Sequence, residues 1–129
     1  MPTKLNEKAI KLIEGKNPAF FAIVLPDSSP HVSPVWIDHQ GDLVLVNTPM
    51  GTVKQKNATK GKRVSIAISD HNDMYDRITI QGRVVEQTPD GADVHIDKLA
   101  YKYTGAKKYE RSSPTEKRII IKIEPIRII

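Results

Sequence analysis

The chain has 129 residues, a usual length for one domain, and contains no cysteine, which excludes disulfides, thiolate metal sites and cysteine nucleophiles. A net charge of +5, with 27% charged and 39% hydrophobic residues, is typical of a globular protein with an anionic partner, either nucleic acid or a phosphorylated small molecule. No apolar run is long enough to cross a bilayer and the lysine-containing N-terminus is unlike a signal peptide, so we expect one cytoplasmic domain over residues 1–129, without a membrane partner.

The first third of the chain predicts a helix followed by two strands. Apolar residues near helical spacing indicate an amphipathic helix over 4–15. Residues 19–25 are uniformly apolar and predict a buried strand, and a turn separates them from a second strand at 31–38. Pro34 lies inside that second strand. Because proline cannot donate a ladder hydrogen bond, we expect an edge, a bulge or a bend there.

The rest of the chain predicts further strands with two more helices. Strands are expected at 43–48, 63–69, 75–87 and 118–124, and helices at about 52–60 and 90–104. Gly82 indicates a bulge in the long strand, and the apolar tail 126–129 predicts either a final edge strand or a subunit contact. Six strands without a βαβ rhythm favour a mainly β (α+β) fold, an antiparallel barrel with peripheral helices.

The segment 47–57 joins the third strand to a basic helix and is the strongest candidate for function. No Asp or Glu occurs from Leu43 to Ser69, whereas positive charges are frequent. They are Lys54, Lys56, Lys60, Lys62 and Arg63. A glycine-containing turn at Gly51, free helix N–H groups and lysines together suit an anion such as a cofactor phosphate. An ordinary turn before a solvated basic helix is the alternative interpretation.

Several short motifs follow one another along nearly the whole chain. They are Val32-Ser33-Pro34-Val35-Trp36, Gly41-Asp42-Leu43, Val46-Asn47-Thr48 with Gly51, Lys54, Lys56 and Asn57, Arg63-Val64-Ser65, Gln81-Gly82 and Tyr101-Lys102-Tyr103-Thr104-Gly105. In this order and spacing they resemble the pyridoxamine 5′-phosphate oxidase-like superfamily, the FMN-binding split barrels. The similarity is greatest to its flavin- and deazaflavin-dependent oxidoreductase branch.

The resemblance implies a six-stranded split barrel that forms a homodimer, with two cofactor sites at the subunit interface. The implied cofactor is FMN or the deazaflavin coenzyme F-420, and the implied reaction is hydride transfer to or from a small organic substrate. The first motif would lie against the cofactor ring, the Asn47-Thr48 pair near the ring and ribityl chain, and the lysines at the phosphate. The implied cofactor-binding residues are Val32, Ser33, Pro34, Val35, Trp36, Asn47, Thr48, Thr52, Lys54, Lys56 and Asn57.

One departure from the family pattern concerns the phosphate. Relatives commonly have one or two arginines just before the first lysine, where this chain has Thr52 and Val53. In a helix Lys54 would point about 160° away from the face shared by Lys56 and Lys60, at about 100° per residue. These lysines therefore cannot all bind one phosphate, and Lys54 is preferred. A longer anionic tail, as in the deazaflavin, would also engage the other face.

Other candidate sites are weaker. The four histidines lack metal-ligand spacing and are interpreted as turn or surface residues, so no metal site is predicted. The loop carboxylates Asp70, Asp73 and Asp76 lack the glycine and glutamate of a calcium loop. Trp36 is explained as well by a core position as by a cofactor contact. Tyr109 and Tyr101 are candidates to line a partner's site, with packing as the alternative.

No catalytic side chain is predicted, because flavin chemistry resides in the cofactor. Two alternative functions stay open. One is a flavin carrier or sensor without turnover, which the sequence does not separate from an enzyme. The other is a basic small barrel that binds nucleic acid. An aromatic content of only 5% and the position of the basic block on a helix disfavour it.

Overall fold

The apolar runs of the sequence form one curled antiparallel sheet in a computed structural model, which describes residues 2–129. Within these residues the strands are β1 (Ala19–Val24), β2 (Pro30–Val35), β3 (Ile37–Gln40), β4 (Leu43–Pro49), β5 (Arg63–Ser69), β6 (Arg77–Thr88) and β7 (Arg118–Ile128). The helices are α1 (Glu7–Glu14), α2 (Val53–Asn57) and α3 (Ala92–Thr104). The fold is therefore mainly β with a few helices, as predicted.

The predicted count of six strands is wrong, because the second one changes partner at Trp36. β2 pairs with β1, with Val35 opposite Ala19, whereas β3 pairs with β4, with Ile37 opposite Val46. The strand order is β2-β1-β5-β6-β7-β4-β3, so β2 and β3 lie at opposite ends although one residue separates them. The sheet must curl until its two ends meet at Trp36, which gives a split half-barrel of seven strands. Pro34 lies on the edge strand, as the sequence predicted.

The C-terminal tail belongs to an interior strand rather than to an edge. β7 runs between β6 and β4, and it continues past Pro125 to pair Ile128 with Ile80. The register shifts between Gln81 and Gly82, which confirms the bulge predicted at Gly82, and Gly82 pairs with Pro125. A Cβ on Gly82 would lie 2.6 Å from the Glu124 carbonyl oxygen. Glycine therefore lets β6 approach β7 closely, and β7 continues through Pro125 instead of ending at residue 124 as predicted.

The inward faces of the strands form the core together with α1, and α3 packs against the other face of β4 and β7. Phe21, Ile66, Ile80 and Ile121 are fully buried in the barrel, where Ile13 of α1 joins them. The predicted helix over 52–60 is shorter in the structure, since α2 ends where the Asn57 amide bonds the Val53 carbonyl and Ala58 leaves helical geometry. Among residues 2–129 no helix has the length and apolar character needed to span a membrane.

Candidate functional site

A cavity of about 630 Å³ lies where the two ends of the sheet meet. The lining residues are Lys16, Pro18, Ala19, Pro34, Val35, Trp36, Asn47, Thr48, Pro49, Lys54, Ile96, Tyr103, Tyr109 and Arg118. Six of the eleven residues predicted for the site are among them, contributed by β2, its break from β3, β4 and α2. The structure thus brings the first motif, the Asn47-Thr48 pair and Lys54 to one place.

The other five predicted residues do not line this cavity. Val32 is 59% exposed on the outer face of β2, and Lys56 is exposed on the outer side of α2. Asn57 is bound within α2 and contributes to a different, smaller cavity. Ser33 is partly covered, and its buried hydroxyl has no hydrogen-bond partner among the described residues.

Thr52, the fifth of these residues, supports the cavity from behind. Its hydroxyl accepts a hydrogen bond from the Gln55 N–H as the N-cap of α2. The same oxygen lies 2.8 Å from the Thr48 hydroxyl, which belongs to the lining. Thr52 therefore fixes both the start of α2 and the orientation of Thr48.

Lys54 is a half-buried cation without a carboxylate partner. Among residues 2–129 no Asp or Glu oxygen lies within ion-pair distance of its ammonium. Burial lowers the pKa of Lys54, and the nearby positive charge of Arg118 lowers it further. An anion placed in the cavity would relieve both effects.

Arg118 is a lining residue that sequence reasoning missed. Its side chain is only 4% exposed, and β7 places it opposite Pro49 at the end of β4. The guanidinium donates to the Asn47 side-chain oxygen at 2.8 Å and to Glu116 at 3.0 Å, and it lies over the Tyr109 ring at 4.8 Å. Only the pairing of β4 with β7 brings it to the cavity, and no local sequence signal indicates that pairing.

A buried histidine lies behind Asn47, so the interpretation of every histidine as a turn or surface residue is wrong for His95. Its Nε2 is 3.0 Å from the Asp38 carboxylate and its Nδ1 is 3.1 Å from the Asn47 amide nitrogen. Burial opposes ionisation of Asp38, but hydrogen bonds from His95, the His39 N–H and Lys98 outweigh it and hold the pKa of Asp38 well below its usual range. Among residues 2–129 no group of three potential ligands is placed to hold a metal ion.

Two tyrosines enclose Trp36, the residue at the break between β2 and β3. The Tyr103 ring stacks on the indole at 5.4 Å, and the Tyr109 ring meets it edge-on at 6.1 Å. Tyr109, a candidate for a partner's site, therefore lines the cavity of its own chain. Tyr101 is 67% exposed on the outside of α3.

Helix α3 fixes the break itself through both polar groups of Ile37. The Tyr103 hydroxyl accepts from the Ile37 N–H at 3.3 Å and donates to the Asn17 carbonyl at 3.0 Å. Lys102 donates to the Ile37 carbonyl at 2.7 Å and to the Ile13 carbonyl. Burial raises the pKa of Tyr103 and lowers the pKa of Lys102 to about 8. The aromatic wall of the cavity is thus held by neighbouring residues of one helix.

Comparison with known proteins agrees with this architecture. Residues 5–129 match the family described as pyridoxamine 5′-phosphate oxidase. An F-420 reductase structure is 23% identical with a TM-score of 0.77, over 92% of this chain and 94% of that chain. General Stress Protein 26 of Bacillus anthracis is 19% identical with a TM-score of 0.67, over 95% and 89% of the two chains.

A structure described as the FAD and heme binding protein of Mycobacterium smegmatis is more distant. It is 11% identical with a TM-score of 0.61, over 94% of this chain and 67% of that chain. At these identities the likeness shows a shared fold. A search of curated proteins gave no match.

Proposed function

The chain belongs to the pyridoxamine 5′-phosphate oxidase family, and on this premise we propose that its cavity binds FMN or the deazaflavin coenzyme F-420 and that the protein is an oxidoreductase. The reaction would transfer hydride to or from a small organic substrate. The names of two similar structures, the F-420 reductase and the FAD and heme binding protein, support a flavin-type cofactor.

One observation carries the proposal, namely the convergence of an apolar aromatic wall and an excess of positive charge on one cavity. Pro34, Val35 and Trp36 offer a surface for a planar ring. Among the described lining residues the charged ones are Lys16, Lys54 and Arg118, all of them cations. A flat ring with an anionic tail has the complementary shape and charge.

The residues present fit such a cofactor. Lys54 would bind the phosphate, because its half-buried ammonium has no acidic partner in the described chain. The Thr52 hydroxyl donates to the Pro49 carbonyl, so the Thr48 hydroxyl donates to Thr52 and would accept a hydrogen bond from the polar side chain of the cofactor. When bound, the cofactor would supply the hydride chemistry, while the Trp36 and Tyr103 wall would orient the ring and exclude water.

We also propose that two chains form a homodimer through the outer faces of β1 and β2. Phe20, Val24 and Val32 lie on these neighbouring strands and are 43%, 57% and 59% exposed. Such a contiguous apolar surface supports a protein contact, and it adjoins Pro34 at the edge of the cavity. Sedimentation of the Val32→Glu variant tests this, with a monomer expected for the variant and a dimer for the wild type. A wild-type monomer would overturn the proposal.

The Lys54→Ala variant tests the cofactor site. We expect FMN to bind more weakly by about 1–3 kcal/mol, the scale of a lost charge-assisted hydrogen bond. Fluorescence titration of FMN measures the affinity, and the exposed Lys60→Ala variant is a control of equal charge. Equal FMN affinity in the wild type and a folded Lys54→Ala variant would contradict this placement of the phosphate. Turnover with candidate substrates then separates an enzyme from a carrier.

A further inference from the structure

One cation of the cavity, Arg118, lies outside the segment 47–57 that the sequence predicted to bind the cofactor. Thr52 and Val53, the two residues just before Lys54, are uncharged. We propose that Arg118 of β7 acts as the second cation for the anionic group of the cofactor, beside Lys54. This inference rests on the proposed function, since it assigns a specificity-determining residue to the same site.

The position of Arg118 supports this role. It pairs with Pro49, the last residue of β4, and the chain leads directly from there to α2 and Lys54. The positive charge of Arg118 contributes to the lowered pKa of Lys54, so the two groups are close enough to interact. Two cations that repel each other beside a cavity are stabilised when an anion lies between them.

Arg118 also has N–H donors that remain for a ligand. A guanidinium has five N–H donors, and those contacts that the described residues make use the Nε group and Nη1. The side chain is 4% exposed and lines the cavity, so the cavity is where unused donors can reach a ligand. A phosphate oxygen matches the planar donor geometry of arginine.

A buried polar chain holds the guanidinium in place. The Asn47 side-chain oxygen accepts from Arg118, and its amide nitrogen donates to the Ala92 carbonyl at 2.9 Å. These two partners fix the amide orientation, so His95 must accept from Asn47 at Nδ1 and donate from Nε2 to Asp38. Asp38 and His95 are therefore positioning residues that act on Arg118 through Asn47.

Glu116 would compete with a bound anion for Arg118, and this makes the inference testable. The Glu116 side chain is 6% exposed, and its carboxylate lies 3.0 Å from Nη1 of Arg118. It therefore already uses part of the hydrogen-bonding capacity of the guanidinium. Removing that negative charge leaves more of the Arg118 charge for a ligand. A purely structural ion pair predicts damage from loss of either partner, whereas a ligand-binding arginine predicts opposite effects of the two losses on cofactor affinity.

The experiment compares FMN with riboflavin, which carries the same ring without the phosphate. We expect Arg118→Gln to weaken FMN binding by about tenfold to a hundredfold, the equivalent of one charge-assisted contact. Riboflavin affinity should stay within about twofold, and Arg118→Lys should give an intermediate loss because it keeps the charge without the fork. Glu116→Gln should tighten FMN binding by about threefold without changing riboflavin. Arg127→Gln, on the exposed part of the same strand, is the matched control.

The outcomes separate this inference from the proposed function. If the wild type binds neither FMN nor F-420, the proposed function fails. If Lys54→Ala weakens FMN but Arg118→Gln changes FMN and riboflavin equally, only the role of Arg118 fails. If circular dichroism shows that Arg118→Gln does not fold, the FMN affinity of the Glu116→Gln variant alone tests the inference. Tighter FMN binding then supports the inference, and equal or weaker binding overturns it. Should the wild type prefer F-420, the same comparison uses F-420 and its ring lacking the phosphate tail.

Discussion

The two sides of the cavity use their charged residues differently. On the α3 side, behind Trp36 and Tyr103, Lys98 lies 3.2 Å from Asp38 and Lys102 donates to two backbone carbonyls. On the α2 side, which comprises Thr48 and Lys54, the ammonium has no carboxylate partner within the described chain. The α3 side therefore uses its charges to hold the fold, and the α2 side leaves its charge for a ligand.

The helices of the two sides are also held in place differently, α3 by buried side chains and α2 by capping hydrogen bonds. The α3 side rests on a 13-residue helix with four buried residues, whereas α2 has five residues and none buried. Besides its Thr52 cap, α2 is held by Gln87 of β6, which donates to the Gln55 and Ala58 carbonyls at 2.8 and 2.7 Å. Changes on the α3 side should chiefly alter stability, and changes on the α2 side should chiefly alter binding.

The largest expected effect comes from breaking the charge network of the α3 side. Asp38→Ala leaves the His95 and His39 donors without their acceptor, and we expect the free energy of unfolding to fall by about 3 kcal/mol. Urea denaturation measures this change. Asp90→Ala, at an exposed position before α3, should cost less than about 0.5 kcal/mol. A loss of similar size in both variants would mean that the network does not hold α3.

A smaller change on the same side tests the break in the sheet. Tyr103→Phe keeps the ring stacked on Trp36 but removes the hydroxyl that bonds Ile37 and Asn17. We expect a loss of about 1–2 kcal/mol in the free energy of unfolding, with the aromatic wall retained. Chemical denaturation followed by tryptophan fluorescence measures it. An unchanged free energy would show that the stack alone fixes α3.

The α2 side is tested through its cap. Thr52→Ala removes the oxygen that bonds the Gln55 N–H and contacts Thr48, so we expect about a fivefold weaker FMN affinity, from a cap worth about 1 kcal/mol. Thr52→Ser keeps the oxygen and should bind FMN as the wild type does. Titration of both variants measures the effect. Equal affinities of the alanine and serine variants would remove Thr52 from any role at the site.

The smallest effect is a pH dependence at His39 of β3, which lies 3.0 Å from Glu14 of α1. Burial disfavours the charged form of His39, but the Gly41 carbonyl and the Glu14 carboxylate outweigh it and raise the pKa of His39 above 6.5. A raised pKa stabilises the folded chain below about pH 6.5, and that stabilisation is lost as pH rises through the folded value. The wild type should therefore lose under about 1 kcal/mol between pH 6 and 8 relative to His39→Gln. Parallel pH profiles of unfolding would contradict this.

The sequence predicted the parts of the fold that depend on local pattern. Apolar runs located the strands, Pro34 indicated an edge, a bulge or a bend, of which the structure shows the edge, and Gly82 indicated the bulge. The break at Trp36 was missed because a strand that changes partner keeps the same alternation on both sides. The extension of β7 was missed because Pro125 indicates a strand end, and only the bulge opposite it shows otherwise.

The residues of the site were likewise predicted only where a local sequence pattern indicated them. Helical spacing put Lys54 and Lys56 on different faces, and the position nearest the helix start favoured Lys54. The structure places Lys54 at the cavity and leaves Lys56 exposed. Arg118, Tyr103 and His95 were not found, since each depends on a contact between distant segments. Arg118 reaches Asn47 only through the pairing of β7 with β4, and His95 reaches Asp38 only once α3 lies against β3. Such pairings have no local sequence signature.

Side-by-side titration of the wild-type protein with FMN, F-420 and a short oligonucleotide tests the central claim most directly. We predict saturable binding of one of the two cofactors, with a change in its fluorescence and one site per chain. The oligonucleotide should not compete with it at physiological salt. Indifference to both cofactors, together with salt-sensitive binding of the oligonucleotide, would contradict the assignment of the cavity to a flavin-type cofactor.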